Sequence, residues 1–271
     1  MQYALNHSIA PDRRFREFAR IARAVDLADV EIRNDLPGIE IADRTPAAVV
    51  RRVAEDAGVR IATINALQRF DEWDDVRAGE ARRLASYARE CGVGALVLCP
   101  VNDTADSRTP MQRDADLRRA LKALLPILRD AGISGLVEPL GFPQSALRTK
   151  SAALAAIGDV GAGEVFSLLH DSFHHFLSGE TEFYPAQTGL VHISGVDDRR
   201  LSRADMKDED RVLVGPDDAL DTVGQLRALV RGGYRGLISV ETFAPRIQAI
   251  ADLGAALSSS LAGLTAAIGA A

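Results

Sequence analysis

The chain has 271 residues, 47% hydrophobic and 26% charged, with a formal net charge of −6. This composition excludes disorder over most of the length, and the length suits the one architecture that runs to about 250 residues as a unit, the (β/α)8 barrel. An acidic balance argues against a nucleic-acid partner, because phosphate-tracking proteins carry a basic surplus on at least one face.

The first apolar run is "YALN", residues 3–6. A helix follows, in which Phe15, Phe18, Ala22 and Val25 recur at three- and four-residue spacing while Asp12, Arg13, Arg16, Glu17 and Arg20 take the opposite face. After the strand-like "DVEIRN" (29–34), Thr45 is placed as an N-cap, Pro46 as the first helical residue, Val49 and Val53 as the buried stripe and Gly58 as the stop. The pattern continues with "RIATIN" (60–65), "ALVLCP" (95–100), "GLVEPL" (135–140), "VFSLLHD" (165–171), "LVHIS" (190–194) and "LISVET" (237–242). Helical segments separate most of these runs, and the one after Phe173 is short. From about Gly254 the Ala/Ser-rich end reads as a small-residue helix with a frayed tip. Cys91 and Cys99 are too few for a disulfide framework and are expected to be reduced. No secretory signal opens the chain and no apolar run approaches the ~20 residues that span a bilayer, so a cytoplasmic protein without a membrane partner is expected.

Eight buried strands alternating with helices predict an α/β fold, a (β/α)8 TIM barrel forming a single domain over residues 1–271. A doubly wound sheet is disfavoured by the length and by the lack of a GxGxxG after the first strand. Polar residues close nearly every strand: Asn6, Glu31 with Arg33, Asn65, Glu138, Asp171, His192 and Glu241. In a barrel these ends meet on one face. Glu138, Asp171, His192 and Glu241 would then supply three carboxylates and one imidazole, a set suited to Mn²⁺, Mg²⁺ or Co²⁺ and compatible with Zn²⁺.

Each residue also has a structural reading. Asp171 could cap the next helix, His192 could be a satisfied core histidine as His170 and His7 are taken to be, and Glu31 with Arg33 could form an ion pair at the rim. The joint pattern favours the metal centre, because four such groups left unpaired at strand ends would carry a heavy desolvation penalty. His174, one turn beyond Asp171, would share the pocket. Residues 195–218 are too long for an ordinary connection and read as a lid or binding loop, with Arg211 as a substrate contact.

Together "VEPLGFPQ", "HDSFHHFLSG", "LVHISGVDD", "DEDRVLVG" and "GLISVETF", with "VEIRNDL" and "INALQRF" nearer the front, resemble the xylose isomerase-like TIM-barrel superfamily of sugar isomerases and epimerases. Within it the likeness is nearest to the inosose (2-keto-myo-inositol) isomerases of inositol catabolism. The resemblance implies one divalent metal ion, Mn²⁺ favoured, on Glu138, Asp171, His192 and Glu241. It also implies movement of a ketone to the adjacent carbon of a cyclic polyol through a cis-enediolate, with Glu138 and Glu241 as acid and base. His174, Arg211, Lys150, Asn65, Arg33 and Gln144 would hold a keto-polyol or keto-sugar substrate, and a homo-oligomer is common among look-alikes. Gln144 and Asp198 stand where related keto-sugar epimerases carry a glutamate and an arginine, which argues against epimerase activity. Other readings are a different keto-sugar or hydroxypyruvate-type isomerase, a non-catalytic polyol-binding barrel, and an apurinic-site endonuclease. The last needs a histidine-rich three-metal cluster, and this chain has only five histidines.

Overall fold

The computed structural model describes residues 1–269; the tip of the Ala/Ser-rich end, for which fraying is expected, lies outside them. Eight strands close into one parallel barrel: β1 Gln2–Asn6, β2 Asp29–Arg33, β3 Arg60–Gln68, β4 Ala95–Cys99, β5 Ser134–Val137, β6 Phe166–Asp171, β7 Thr188–Ile193 and β8 Leu237–Val240. Sequential neighbours pair, and β8 pairs back onto β1. Every strand falls on one of the eight expected runs. Most are continuous rather than alternating in hydrophobicity because both faces are covered, as in β4, where Leu96, Val97, Leu98 and Cys99 are all buried; β2 instead alternates charged and apolar residues although all five are buried.

The helices are α1 Phe15–Ala24, α2 Ala47–Ala57, α3 Asp75–Cys91, α4 Pro110–Ala131, α5 Lys150–Asp159, α6 Ser172–Ser178, α7 Thr222–Arg231, α8 Pro245–Gln248 and α9 Leu253–Gly269. On α1, Phe15, Phe18, Ala19 and Ala22 are buried as the spacing requires. Removing a phenylalanine side chain from water contributes about 1.5–3 kcal/mol, so this stripe alone fixes which face meets the barrel.

The expected stripe on α2 is wrong. Val49 is 50% exposed, and the buried residues are Ala47, Val50 and Ala54. Pro46 occupies the cap position and the helix starts at Ala47, while the Thr45 hydroxyl donates to Asp43 at 2.6 Å instead of capping the helix. Each residue turns the helix by about 100°, so a shift of one position moves a whole face. Gly58, at φ 68, ends α2 in the left-handed conformation that glycine adopts without strain.

The core has two main parts, besides a small cluster of Phe173, Leu177, Val196, Met206 and Leu220. The larger lies between strands and helices, and a smaller one inside the barrel is formed by Ala66, Val97, Cys99, Leu136, Leu169 and Leu190. The interior is therefore filled below the strand ends, leaving the C-terminal face to carry polar side chains. Both cysteines are buried free thiols. Among the described residues no helix is long and apolar enough to cross a membrane. The connection after β7 contains only a 3₁₀ turn at Asp208–Asp210 and folds back through a bridge between Gly195 and Val212.

Candidate metal centre

Strands β5 to β8 each deliver one polar residue to the barrel mouth. Glu138 follows β5 directly, and Pro139 behind it cannot extend the ladder, so the chain turns off there; the Glu138 N–H still donates to the Leu98 carbonyl at 3.1 Å. Glu241 leaves β8 in the same way, its N–H donating to the Ile193 carbonyl at 2.9 Å. Asp171 ends β6 and is also the N-cap of α6: Oδ1 accepts from the His174 N–H at 2.8 Å, and Oδ2 faces the barrel axis region where His192 lies. Capping and the metal-centre position are thus divided between its two oxygens. His192, paired in register with Asp171, is fully buried.

One donor atom from each of Glu138, Asp171, His192 and Glu241 lies within 4.8 Å of the other three. His192 Nδ1 is 3.2 Å from Glu241 Oε2, 3.3 Å from Glu138 Oε1 and 3.9 Å from Asp171 Oδ2, yet it hydrogen-bonds to none of them. Burial alone would keep the imidazole neutral, but Glu241 and Glu31 outweigh it and draw the ring well above its ordinary proton affinity. A buried nitrogen without a partner, ringed by three carboxylates that demand positive charge, fits a single divalent cation.

Glu31 turns His192 toward this centre. The glutamate is completely buried and its two oxygens lie 3.0 and 3.1 Å from His192 Nε2. Thr63 donates to it at 2.5 Å, Asn6 at 3.2 Å, and the Ser239 hydroxyl donates as well. Burial would raise its pKa, but the His192 imidazole and the hydroxyl donors pull it below the ordinary carboxylate value. An anion at this place keeps the ring hydrogen on Nε2 and leaves Nδ1 free to act as a ligand. Glu31 and Arg33 are therefore not an ion pair. Arg33 binds Asp35 at 2.7 and 2.9 Å and Glu241 Oε1 at 3.1 Å.

Glu241 is the most heavily bonded of the four. Oε1 accepts from Asn6, Asn65 and Arg33, each at 3.1 Å, and Oε2 accepts from Arg211 at 2.9 Å. Burial opposes its ionisation, but His192, Arg211 and Arg33 hold its pKa well below the usual range. Glu138 Oε2 has a weaker partner, the Cys99 thiol at 3.3 Å. Burial, then the nearby carboxylate, pushes that thiol well up, so it stays protonated and donates.

Arg211 arrives on the long β7–α7 connection and is 1% exposed. Its guanidinium reaches Asp171 Oδ2 at 2.6 Å as well as Glu241, and its carbon lies 5.1 and 4.9 Å from the ring centres of Phe173 and Phe243. It contacts two of the candidate ligands directly as well as lining the cavity. That cavity, about 420 Å³, is bounded by Glu138, Glu241, His174, Arg33, Asn65 and Arg211 among others. His174 Nδ1 is buried without a hydrogen-bond partner.

Two of the expected substrate contacts lie apart from this wall. The Lys150 ammonium is engaged by His170 and His175, and Gln144 sits half-buried in the turn after β5. His170 is bonded at both ring nitrogens, and His7 bonds the Arg13 carbonyl while stacking on Phe18, as core histidines should. Sequence reasoning passed over Cys99, Phe142, Phe243, Gln68, Arg69 and Asn102, which also line the cavity. Cys99 was readable as the last inward residue of the one strand given no polar end, and Phe243 as the aromatic two residues past Glu241.

The family model for the xylose isomerase-like TIM barrel matches residues 15–264. The chain belongs to that family. Among solved structures, a xylose isomerase domain-containing protein of Salmonella typhimurium LT2 is 31% identical, with a TM-score of 0.88 over 98% of this chain and 97% of that one. An IolI protein with a bound zinc atom gives 20% identity and a TM-score of 0.86 over 99% and 98% of the two chains. A D-psicose 3-epimerase with D-tagatose from Clostridium cellulolyticum H10 gives 10% identity and a TM-score of 0.77 over 99% of each chain. No curated protein sequence gives a significant match.

Proposed function

We propose that this xylose isomerase-like barrel is a divalent-metal-dependent isomerase that moves a ketone to the adjacent carbon of a cyclic polyol, in the manner of an inosose isomerase. The observation that carries this reading is the unpartnered His192 Nδ1, faced by Glu138 and Glu241 at 3.3 and 3.2 Å on the wall of a polar cavity. Glu138, Asp171, His192 and Glu241 would hold the ion. When bound, it would polarise the substrate carbonyl and stabilise negative charge developing on neighbouring oxygens. Mn²⁺ is favoured by the oxygen-rich set; Zn²⁺, Co²⁺ and Mg²⁺ also suit it, and the IolI neighbour carries zinc.

Glu138 and Glu241 stand at the reacting carbons. One takes the hydrogen from the hydroxyl-bearing carbon, giving a cis-enediolate; the hydroxyl proton passes to the former carbonyl oxygen, and a carboxylate returns hydrogen to the former carbonyl carbon. Arg33 and Asn65 hold Glu241 in place from one side, Arg211 from the other. Phe142, Leu140 and Phe243 exclude water from part of the wall. His174 meets substrate hydroxyls. Lys150 and Gln144, assigned to substrate by sequence, have no place at this wall. The same reading goes with a cytoplasmic enzyme of polyol breakdown, such as inositol catabolism, acting as a homo-oligomer on a small keto-polyol or keto-sugar.

The test is hydrogen exchange. Mn²⁺-loaded protein incubated in deuterated water with inososes, ketohexoses or hydroxypyruvate should place deuterium beside the ketone of at least one of them, and chelation should abolish this. Exchange that persists without metal, or none with any substrate, would refute the proposal.

Glu31 gives a second expectation. In Glu31→Gln the anionic partner of His192 is lost, and Mn²⁺ binding followed by calorimetry should weaken about 10- to 100-fold. Unchanged affinity would show that His192 needs no such partner.

A further inference from the structure

Behind β6, away from the cavity, Lys150 is 3% exposed and its Nζ lies 3.0 Å from Nδ1 of both His170 and His175. No carboxylate makes a close pair with it. Glu180 is 3.9 Å away, and the other neighbours are the rings of Phe183 and Tyr184, centred 5.2 and 5.9 Å from the nitrogen. Enclosing a cation with so little compensation costs several kcal/mol. A need for stability alone is better met by an apolar side chain of the same length.

The hydrogen-bond directions show what the cation does. An ammonium has donors only, so both Nδ1 atoms must accept, and both rings must carry their hydrogen on Nε2. His170 Nε2–H then donates to Gln225 Oε1 at 3.0 Å. The Gln225 amide is oriented to match, its nitrogen donating to the Ser172 carbonyl at 3.0 Å and the Leu220 carbonyl at 2.8 Å. With the opposite tautomer at His170, two donors would face each other at Lys150 and two acceptors at Gln225. The His170 ring is thus held from both ends, by Lys150 and by Gln225, whereas among the described residues the His175 ring is bonded by Lys150 alone. The network ties together the start of α5, the β6–α6 corner that presents Asp171 and His174, and Leu220, where the connection carrying Arg211 returns to the barrel.

We propose that Lys150 is a positioning residue, which sets the tautomer of His175, shares that of His170 with Gln225, and so braces the β6–α6 corner that presents Asp171 to the metal ion. The link to the ion rests on the function proposed above; the tautomer relay does not. Two measurements separate them. In metal-free protein labelled with ¹⁵N-histidine, long-range ¹⁵N–¹H spectra of the wild type should show His170 and His175 as Nε2–H tautomers, and Lys150→Met should lose this pattern at His175 while His170, still held by Gln225, keeps it. Titrated with Mn²⁺ alone, Lys150→Met and Gln225→Leu should each bind about tenfold more weakly than wild type. Wild-type rings protonated on Nδ1 would overturn the relay without any variant. An unaltered His175 pattern in Lys150→Met, or unchanged Mn²⁺ affinity in both variants, would overturn it as well. Should Lys150→Met fail to fold, the wild-type spectra and Gln225→Leu still decide. Failure of the wild type to bind Mn²⁺ would instead strike the proposed function, and the spectra would still judge the relay.

Discussion

Glu241→Gln is expected to lower turnover by a factor of about 10²–10⁴, the range contributed by a positioned acid or base, while the barrel remains folded. The neutral side chain keeps the shape of glutamate. Its amide oxygen can still accept from Asn6, Asn65 and Arg33, which all converge on Oε1. The amide nitrogen then falls in the place of Oε2, where His192 Nδ1 can accept from it but the Arg211 guanidinium cannot. What disappears is the capacity to carry a hydrogen between carbons. The measurement is kcat on whichever substrate shows deuterium exchange, with metal content determined on the same sample. Undiminished turnover at equal metal content would remove Glu241 from the reaction.

Arg211→Met is expected to destabilise the metal-free protein by about 3–5 kcal/mol, because deleting one member of a buried ion pair leaves the other charges uncompensated. Asp171 and Glu241 both lose the same guanidinium nitrogen, at 2.6 and 2.9 Å. Methionine retains an unbranched stem to fill the space between Phe173 and Phe243, so the deficit is mainly electrostatic. A divalent ion restores positive charge at the same carboxylates and stabilises the folded state by mass action. Urea unfolding should therefore show a larger gain on adding Mn²⁺ for the variant than for the wild type. An equal gain in both proteins would mean that Arg211 and the ion do not serve the same charges.

The barrel was legible because most strands are covered on both faces, which writes an apolar run into the sequence, and because the residues at and just past their ends need not be apolar. Glu138, Asp171, His192 and Glu241 were singled out for that second reason. The face of α2 was lost for lack of a local mark. Val49 and Val53 have the right spacing, but Val50 and Ala54 have it too, and only the start of the helix at Ala47 decides between them. The role of Glu31 beside His192 was not legible because its partners come from other strands: Asn6 and Thr63 lie beside it in register, and His192 and Ser239 come from strands further round the barrel. Lys150 and Gln144 were assigned to the substrate along with the family resemblance, which carries a position in the chain but not the direction its side chain takes: Lys150 turns to His170 and His175 instead of the cavity.

Closure of the ring joins the two ends of the message. Asn6 from β1 donates to Glu241, which follows β8, across 235 positions. During synthesis the first seven strands emerge without this carboxylate, so a nascent chain stopped before β8 lacks one of the four groups gathered around His192. Under the proposed function, competence would then arrive late and all at once, and chains interrupted before β8 would be inert instead of partly active.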